Sequence, residues 1–456
     1  MGKRFMVWAF FYFAITTGIA QQPATVKEYL RSFLTYEFSD PNPIPLLSPV
    51  YPYFRYDGFT DQPRQKEWKI VELENDYIKV MITPGIGGKI WAAIEKRSGK
   101  SFIYYNHVVK FRDIAMRGPW TSGGLEPNYG IIGHTPSNAA PVDYITRTNA
   151  DGSASCIIGV LDLLTRTSWR IEINLPKDKA YFTTRSFWYN STGVEQPYYH
   201  WMNLGIKAKG NLEFIFPGTK YIGHNGEYSS WPLNETNGKK ISFYDDNDFG
   251  GSKSYHVFGK PADFFGAYWH NDHTGMVRYG AYDDKAGRKI WIWGLSQQGM
   301  IWEKLLTDTD GQYVEIQSGR LFNQNASRST FTPFKHIGFA PYATDTWKEY
   351  WYPVSQTHGI AKANAYGALN LKYEQGMLKV YFSAAQPVSD TLVVRSAGRT
   401  IYSRALRLAP LQVFADSLPV NIAADDIVAA LGVNKLVYHS DPEFEQLSRP
   451  VTAPPN

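Results

Sequence analysis

Short runs in which apolar and polar residues alternate recur along most of the chain, and Gly, Asn, Asp or Pro breaks them every few residues. Tyr77-Ile-Lys-Val-Met-Ile-Thr and Lys289-Ile-Trp-Ile-Trp are typical runs. Alternation is the pattern of a half-buried strand, and many short strands at regular spacing indicate a sandwich or barrel. Only Thr25–Leu34 and Ala423–Ala430 have helical periodicity. We therefore predict a mostly β protein with two short helices.

The pattern changes twice along the mature part of the chain. Residues 41–65 are rich in Pro, Tyr and Asp, so we predict an irregular N-terminal lead-in over residues 21–66. Residues 67–365 then run from strand to strand without a break that resembles a linker, which is the length of a sandwich of two large sheets. After this region we predict a small β-module, residues 366–456, that ends in a Pro-rich tail from Ser448.

The first twenty residues have the three parts of a secretion signal. Lys3 and Arg4 give a positive start, Phe5 to Ile15 are apolar, and small residues precede a cleavage site after Ala20. The apolar run is too short to span a bilayer comfortably, and no later stretch is long enough to do so. We predict a periplasmic or secreted protein without a membrane span. An uncleaved N-terminal anchor is the alternative.

Composition narrows the classes of ligand. The net charge is +5, and removal of the signal leaves +3, which is too small and too evenly spread for a nucleic-acid surface. The single cysteine, Cys156, excludes a disulfide framework and multi-cysteine metal sites. No metal ligand set or cofactor is predicted, although a Ca²⁺ site would leave little trace. The 14 Trp and 31 Tyr suit stacking on sugar rings, or the strands of an aromatic-rich β protein.

A glycine-rich segment, residues 117–136, contains five glycines and displays Trp120, Glu126, Asn128 and His134. Glycine lets a loop adopt positive φ and approach a ligand closely. We predict that this segment is an irregular loop that carries functional groups. His270-Asn-Asp-His273 is a weaker cluster, and we interpret it as a turn that caps two strands.

The segment that begins at Gln312 reads as a strand. Alternation places Tyr313, Glu315 and Gln317 on one face and the apolar Val314 and Ile316 on the other. The apolar face would pack into the core. A carboxylate between two hydrogen-bonding side chains is costly to bury unless a polar ligand meets it, so this face predicts a binding site.

Three segments resemble those that carry the catalytic residues of galactose mutarotases. His200-Trp-Met-Asn-Leu-Gly is similar to the segment of the second catalytic histidine. Glu315-Ile-Gln, followed by Phe322-Asn323, resembles the segment of the general base, and His134 falls where the first histidine would. The resemblance implies that Glu315 is the base, His200 the acid and His134 a stabiliser of charge on the ring oxygen. The residues expected to bind the sugar are Trp120, Asn128, Trp201, Asn203, Tyr313, Gln317 and Arg320.

The whole pattern resembles an uncharacterised bacterial family, domain of unknown function 5107, in which a Gly-Gly-x-Glu-x-Asn segment like Gly123–Asn128 recurs. This resemblance implies a galactose-mutarotase-like β-supersandwich. Glu126 adds a second carboxylate, and two carboxylates that face one sugar are the arrangement of a glycosidase. We therefore expect an exported protein that binds an oligosaccharide or sugar and acts at the anomeric centre as a glycoside hydrolase or related enzyme. An aldose-1-epimerase-like enzyme and a non-catalytic sugar-binding protein are the alternatives.

Overall fold

A computed structural model describes residues 21–39, 42–45, 54–55, 58–113, 118–130, 133–224, 226–247, 252–321, 337–421, 427–441 and 447. The predicted signal peptide and the Pro-rich tail from Ser448 lie outside these residues. Strands make up most of the described chain, so the prediction of a mostly β protein is confirmed. The described helices are α1 (Gln297–Thr307) and three short 3₁₀ helices, Pro136–Ala139, Tyr244–Asp246 and Tyr282–Asp284.

The described strands, in chain order, are β1 (Thr25–Tyr36), β2 (Asn42–Pro45), β3 (Phe54–Arg55), β4 (Arg64–Glu74), β5 (Ile78–Thr83), β6 (Lys89–Glu95), β7 (Lys100–Ser101), β8 (Val108–Lys110), β9 (Leu125–Gly130), β10 (Asp143–Thr148), β11 (Ala154–Leu161), β12 (Thr167–Leu175), β13 (Phe182–Asn190), β14 (Gln196–Lys207), β15 (Leu212–Ile215), β16 (Lys220–Ile222), β17 (Tyr228–Ser230), β18 (Lys253–Phe258), β19 (Phe264–Trp269), β20 (Thr274–Tyr279), β21 (Gly287–Ile292), β22 (Tyr313–Gly319), β23 (Ile337–Phe339), β24 (Thr344–Ser355), β25 (Lys362–Asn364), β26 (Gly367–Glu374), β27 (Met377–Ala384), β28 (Val388–Ser396), β29 (Arg399–Leu408), β30 (Val413–Pro419), β31 (Ile427–Leu431) and β32 (Leu436–His439).

Two large sheets form the body of the protein. The larger has 14 strands in the order β17-β16-β18-β21-β22-β14-β9-β6-β5-β4-β1-β8, with β23 paired to β14 and β7 to β6. The other has eight strands in the order β10-β11-β12-β13-β24-β20-β19-β15. Apolar side chains from both sheets make one core, in which Leu204 and Ile316 of the first lie with Ile158 and Trp351 of the second. The sheets therefore pack face to face as a sandwich, and the lone Cys156 is buried between them.

Both predicted helices are wrong where the structure describes them. Thr25–Tyr36 is strand β1, which pairs antiparallel with β4 and parallel with β8, so the predicted irregular lead-in contains a strand of the large sheet. Ile427–Leu431 is strand β31, and residues 423–426 lie outside the described chain. In both cases pairing with a neighbouring strand overrides a weak local preference for helix.

Helix α1 was not predicted, although its start carries a recognisable signal. The Ser296 hydroxyl accepts a hydrogen bond from Gly299 N at 3.2 Å and caps the first turn. The helix packs its Leu306 side chain into an aromatic cluster beside the large sheet. The helix thereby lies beside the candidate site described below.

Residues beyond β24 build two four-stranded sheets, β25-β26-β27-β30 and β29-β28-β31-β32. They share a core of their own that includes Leu378, Val380 and Leu392. A second apolar cluster joins Tyr352 of β24 to Ala363 of β25, so this part packs against the eight-stranded sheet. It lies away from the polar face of the 14-stranded sheet.

Candidate functional site

A row of polar side chains crosses the centre of the 14-stranded sheet. Glu126 of β9 lies opposite Asn203 of β14, which lies opposite Gln317 of β22. Gln317 in turn faces Lys289 of β21, and Lys289 faces His256 of β18. Directly paired residues on adjacent strands share a face of the sheet, and this row lies on the face opposite the apolar core. All five side chains are buried, with exposures of 1–6%.

Glu315 lies two residues along β22 from Gln317 and therefore on the same face. Tyr313 donates its hydroxyl hydrogen to Glu315 Oε1 at 3.1 Å, and Gln317 Nε2 donates to Oε2 at 2.6 Å. Burial and the charge of Glu315 raise the pKa of Tyr313 well above its usual value, so the phenol stays a donor. Each carboxylate oxygen thus has one neutral donor and keeps a lone pair for a ligand. The prediction that these three side chains share one face of a strand is confirmed, and their role in binding stays a prediction.

Glu126 is held differently, because donors surround both of its oxygens. Oε2 accepts from Trp120 Nε1 at 2.8 Å and lies 3.1 Å from Lys89 Nζ, while Oε1 accepts from Asn128 Nδ2 at 3.0 Å. Oε1 also pairs with His134 Nδ1. Burial alone would raise the pKa of Glu126, but the charges of His134 and Lys89 lower it to about 2. Glu126 is therefore an ionised anchor for its neighbours.

His134 lies at the edge of this network with 16% of its side chain exposed. Its ring is 4.9 Å from the ring of Trp120 and 4.9 Å from that of Trp201, measured between centroids. Because Nδ1 is engaged by Glu126, the ring is oriented with Nε2 as its remaining polar atom. Asn128 Oδ1 accepts from Thr135 N at 2.9 Å, which ties the turn that follows His134 to β9.

Aromatic rings lie beside the polar row. Trp120 and Trp201 flank His134. Trp293 stacks on Trp302 of α1 at 4.2 Å and meets Trp291 edge-on at 5.3 Å, and Trp293 belongs to the same aromatic cluster as Trp120. Rings of this kind can stack on the C–H faces of a sugar.

Two buried polar atoms in the row lack hydrogen-bond partners within the described part of the chain. They are the donor Nε1 of Trp201 and the acceptor Oδ1 of Asn203, and both residues are at most 2% exposed. An unsatisfied buried polar atom costs about 1–3 kcal/mol, so each such atom calls for a partner. Ligand hydroxyl groups can satisfy such atoms, because a hydroxyl can accept from an indole and donate to an amide oxygen.

Two lysines lie buried at this site. Lys89 of β6 donates to Thr121 Oγ1 at 3.0 Å as well as approaching Glu126. Burial lowers the pKa of Lys289 to about 7, and the charge of Glu315 opposes this shift. The alternation of Lys289-Ile-Trp-Ile-Trp places Lys289 on the face of Trp291, so sequence reasoning could have found it. Alternation likewise places Lys89 on the face of Trp91, but only the pairing of β6 with β9 brings it to Glu126.

Two predicted site residues lie on the wrong face. His200 precedes Trp201 on β14 and therefore points into the core between the sheets, where its ring lies 4.5 Å from that of Trp347. Burial, with the nearby charges of Lys285 and Arg320, holds its pKa well below its usual value, so it cannot act as a protonated acid for Glu315. Arg320, with 16% of its side chain exposed, makes a bidentate pair with Asp345 at 2.9 Å for both contacts.

The glycine-rich segment is also not the predicted loop, because six of its residues, Leu125–Gly130, form strand β9 in the middle of the sheet.

Gly205, the last residue of the mutarotase-like motif that begins at His200, has a clear steric reason. A Cβ on Gly205 would lie 2.5 Å from Tyr313 Cε2 and 3.0 Å from Gly123 Cα. Gly205 therefore leaves room over β14 for the Tyr313 ring, whose hydroxyl donates to Glu315.

His270 and His273 occupy the turn between β19 and β20, as interpreted, and His270 Nε2 lies 2.8 Å from Glu213 Oε2. The described residues contain no group of three or more His, Cys, Asp or Glu arranged to hold a metal ion. Among the same residues, no helix has the length and apolar character needed to cross a membrane.

A cavity of about 440 Å³ lies elsewhere, between the end of β14, the β19–β20 turn and the end of β24. Its lining includes the apolar side chains of Phe102, Trp269 and Val354 and the charged side chains of Lys207 and Lys209. It contains no residue of the polar row. The ionisable groups that face one another across β9, β14, β22 and β21 therefore remain the candidate site.

The fold and site define a class: a large two-sheet β-sandwich that carries acid–base groups and aromatic rings on the outer face of one sheet. Within that class, the chain belongs to the family described as domain of unknown function 5107, which matches residues 45–354. The family predicted from the sequence is thereby confirmed.

Solved structures similar to this chain include a TPR-domain containing protein from Parabacteroides distasonis, at 25% identity and a TM-score of 0.63. The match covers 73% of this chain but only 56% of that protein. Galactose mutarotase-like proteins are more distant. One from Clostridium acetobutylicum has 11% identity and a TM-score of 0.45, over 63% of this chain and 96% of that one. Another from Lactobacillus casei has 8% identity and a TM-score of 0.44, over 62% and 99%.

Proposed function

We propose that this protein is exported, binds a carbohydrate on the polar face of its 14-stranded sheet, and transfers protons at the anomeric centre with Glu315 as the base. The observation that carries the proposal is the pair of unsatisfied atoms, Trp201 Nε1 and Asn203 Oδ1, beside a buried carboxylate. A sugar offers hydroxyl groups that both donate and accept, together with apolar ring faces for the tryptophans.

The environments of the two carboxylates favour a single-base mechanism over a two-carboxylate hydrolase. Glu126 is held ionised with a pKa of about 2 and is surrounded by donors, so it is a poor general acid or nucleophile. Strand β14 separates Glu126 from Glu315, with an offset of two residues. From strand spacings, their Cα atoms are about 12 Å apart. We assign Glu126 the role of orienting His134.

In the epimerase-like reaction, Glu315 removes the proton from the anomeric hydroxyl while an acid of the site protonates the ring oxygen. The bond between the anomeric carbon and the ring oxygen breaks, and the anomeric C–O becomes a carbonyl. Rotation of the carbonyl and the reverse proton transfers close the ring as the other anomer. Atoms and charges balance, because the proton taken by Glu315 and the proton given by the acid both return on closure.

A glycoside hydrolase is the second candidate, and the number of aromatic rings favours it. Trp201, Trp293 and Trp302 all lie beside the polar row, which suits a ligand of more than one sugar ring. In that case Glu315 would activate water or attack the anomeric carbon instead of opening the ring.

The test compares purified wild type with Glu315→Gln. Polarimetry of freshly dissolved α-D-glucose and α-D-galactose reports epimerisation, and product analysis on an oligosaccharide panel reports hydrolysis. Glu315→Gln is expected to lose activity by 10²-fold or more while it still binds the sugar. The matched control is Glu172→Gln, which removes a partly exposed carboxylate from the other sheet and should be fully active. Full activity of Glu315→Gln refutes the assignment, and sugar binding without any turnover by the wild type leaves a binding protein.

Export has its own test, because it rests on residues 1–20 alone. Expression in a Gram-negative host, followed by osmotic release and N-terminal sequencing, should give a mature chain that starts at Gln21. A protein that stays in the spheroplast fraction with Met1 intact refutes the proposal of export.

A further inference from the structure

With His200 excluded from the site, the acid that works opposite Glu315 has to be another group. We propose that Lys289 is a catalytic residue of this site and donates the proton that the sugar's ring or bridging oxygen receives. This inference rests on the proposed function and names a participant in it.

The position of Lys289 is defined by strand pairing and by two rings. It lies opposite Gln317, the residue that donates to Glu315 Oε2. Its Nζ is 5.6 Å from the centre of the Trp201 ring and 5.2 Å from that of Trp291. His134 contacts the same Trp201 ring from the β9 side. A sugar stacked on Trp201 would therefore lie within reach of both Lys289 and His134.

Glu315 supplies a counter-charge for Lys289. Glu315 on β22 stabilises the ammonium form, whereas burial favours the neutral amine, and the pKa of Lys289 comes to about 7. His256 on β18 and His224 also face it, but burial lowers the pKa of each, to about 3 for His256, so both are neutral. An ammonium that titrates near neutral pH can give up a proton and regain it.

Lys89, the other lysine of the site, has a different role. Its Nζ is engaged by Thr121 and by Glu126, which it holds as an ion pair at 3.1 Å. We infer that Lys89 fixes the charge of Glu126, which in turn orients His134.

Lys285 offers a matched control, because it is equally buried but lies in the core on the other face of the sheet. Its pKa is also lowered to about 7, chiefly by burial, and its Nζ lies 3.4 Å from Glu349 Oε2. Glu349 keeps its contact with Arg278 Nε at 2.8 Å when the lysine is removed. The two lysines thus share burial and shifted pKa and differ in access to the site.

In the proposed step, the Lys289 ammonium protonates the ring oxygen as the bond from that oxygen to the anomeric carbon breaks. Glu315 removes the proton of the anomeric hydroxyl in the same step. Ring closure returns one proton to the lysine and one to the sugar. For a glycoside, the same ammonium would protonate the departing oxygen.

The experiment combines rates with a signal that needs no substrate. Polarimetry with α-D-glucose and α-D-galactose is run from pH 5 to 10 on wild type, Lys289→Met, Lys289→Arg and Lys285→Met, each checked for folding by near-ultraviolet circular dichroism. We expect Lys289→Met to lose 10²-fold or more in kcat, Lys289→Arg to lose the alkaline limb near pH 7, and Lys285→Met to stay within a few-fold of wild type. A wild-type rate and pH profile in folded Lys289→Met or Lys289→Arg overturns the proposal.

Tryptophan fluorescence gives the second signal, because Lys289 lies against Trp201 and Trp291. It is recorded in the Lys285→Met background, since Lys285 lies 5.2 Å from the Trp347 ring. A step in emission near pH 7 should be present there and smaller when Lys289→Met is added, because His134 also contacts the Trp201 ring. If wild type turns over neither sugar, the epimerase activity on these sugars is refuted, and the fluorescence step tests separately whether Lys289 titrates in the site. An unchanged step in the double variant overturns the role of Lys289, and a smaller step supports its titration beside the tryptophans.

Discussion

Replacing Glu126 with glutamine should destabilise the protein in a way that depends on pH. The variant keeps the shape of the side chain but removes the charge that Lys89 and His134 share. The amide would also present a donor to neighbours that are themselves donors, among them Trp120 Nε1. A buried cation is then left without its counter-ion, which is one of the costlier changes in a protein interior.

The magnitude follows from the pKa of Glu126, which the fold lowers from 4.5 to about 2. Each unit corresponds to 1.36 kcal/mol, so ionised Glu126 contributes about 3 kcal/mol to the free energy of unfolding at pH 7. A carboxylate with a lowered pKa stabilises the fold above its unfolded pKa, and this contribution is lost as pH falls toward the folded pKa. The difference between wild type and Glu126→Gln should therefore shrink to about 1 kcal/mol at pH 3.

Urea unfolding followed by circular dichroism at pH 7, 5, 4 and 3 measures this difference. The control is Glu172→Gln, whose carboxylate pairs with Arg147 on the surface with 25% of its side chain exposed. Surface pairs contribute about 0–1 kcal/mol, so the control should change little at any pH. A difference for Glu126→Gln that stays constant from pH 7 to pH 3, or that equals the control, would refute the role assigned to Glu126.

Three further predictions concern the two faces of β14. His200→Gln should lower the melting temperature but leave any turnover unchanged, since His200 packs on Trp347 in the core. A large loss of kcat in the folded variant would contradict the assignment of His200 to the core. Gly205→Ala should cost about 1–3 kcal/mol in thermal unfolding, because its Cβ would lie 2.5 Å from the Tyr313 ring. Trp201→Phe should weaken sugar binding several-fold in calorimetry by removal of the indole donor, and unchanged affinity would contradict that contact.

Much of the site could be predicted from alternation within single strands. The pattern around Glu315 correctly placed Tyr313 and Gln317 on its face, because side chains of a strand alternate whatever the strand pairs with. The same logic applied to Lys289 and Trp291 would have added a lysine and a tryptophan. The long-range contacts of Lys89 with Glu126 had no such local signal.

Alternation alone could not predict which face of β14 carries His200. His200 and Trp201 are adjacent on β14, so one of them has to face the core and the other the site, and the sequence of apolar and aromatic residues there fits either choice. Motif similarity favoured His200. The observed register pairs Trp201 with Gly319 and Asn203 with Gln317, which places His200 in the core.

The sequence by itself therefore determined a mostly β chain, its family, and which side chains of one strand share a face. The β class and the shared face depend on residues that are close along the chain, and the family is recognised from short motifs. The tertiary structure decided which strands are neighbours and in what register, and so which face of each strand meets a ligand. A shift of one residue in register would exchange the two faces of β14, and only the packing of both sheets around a common core selects between them.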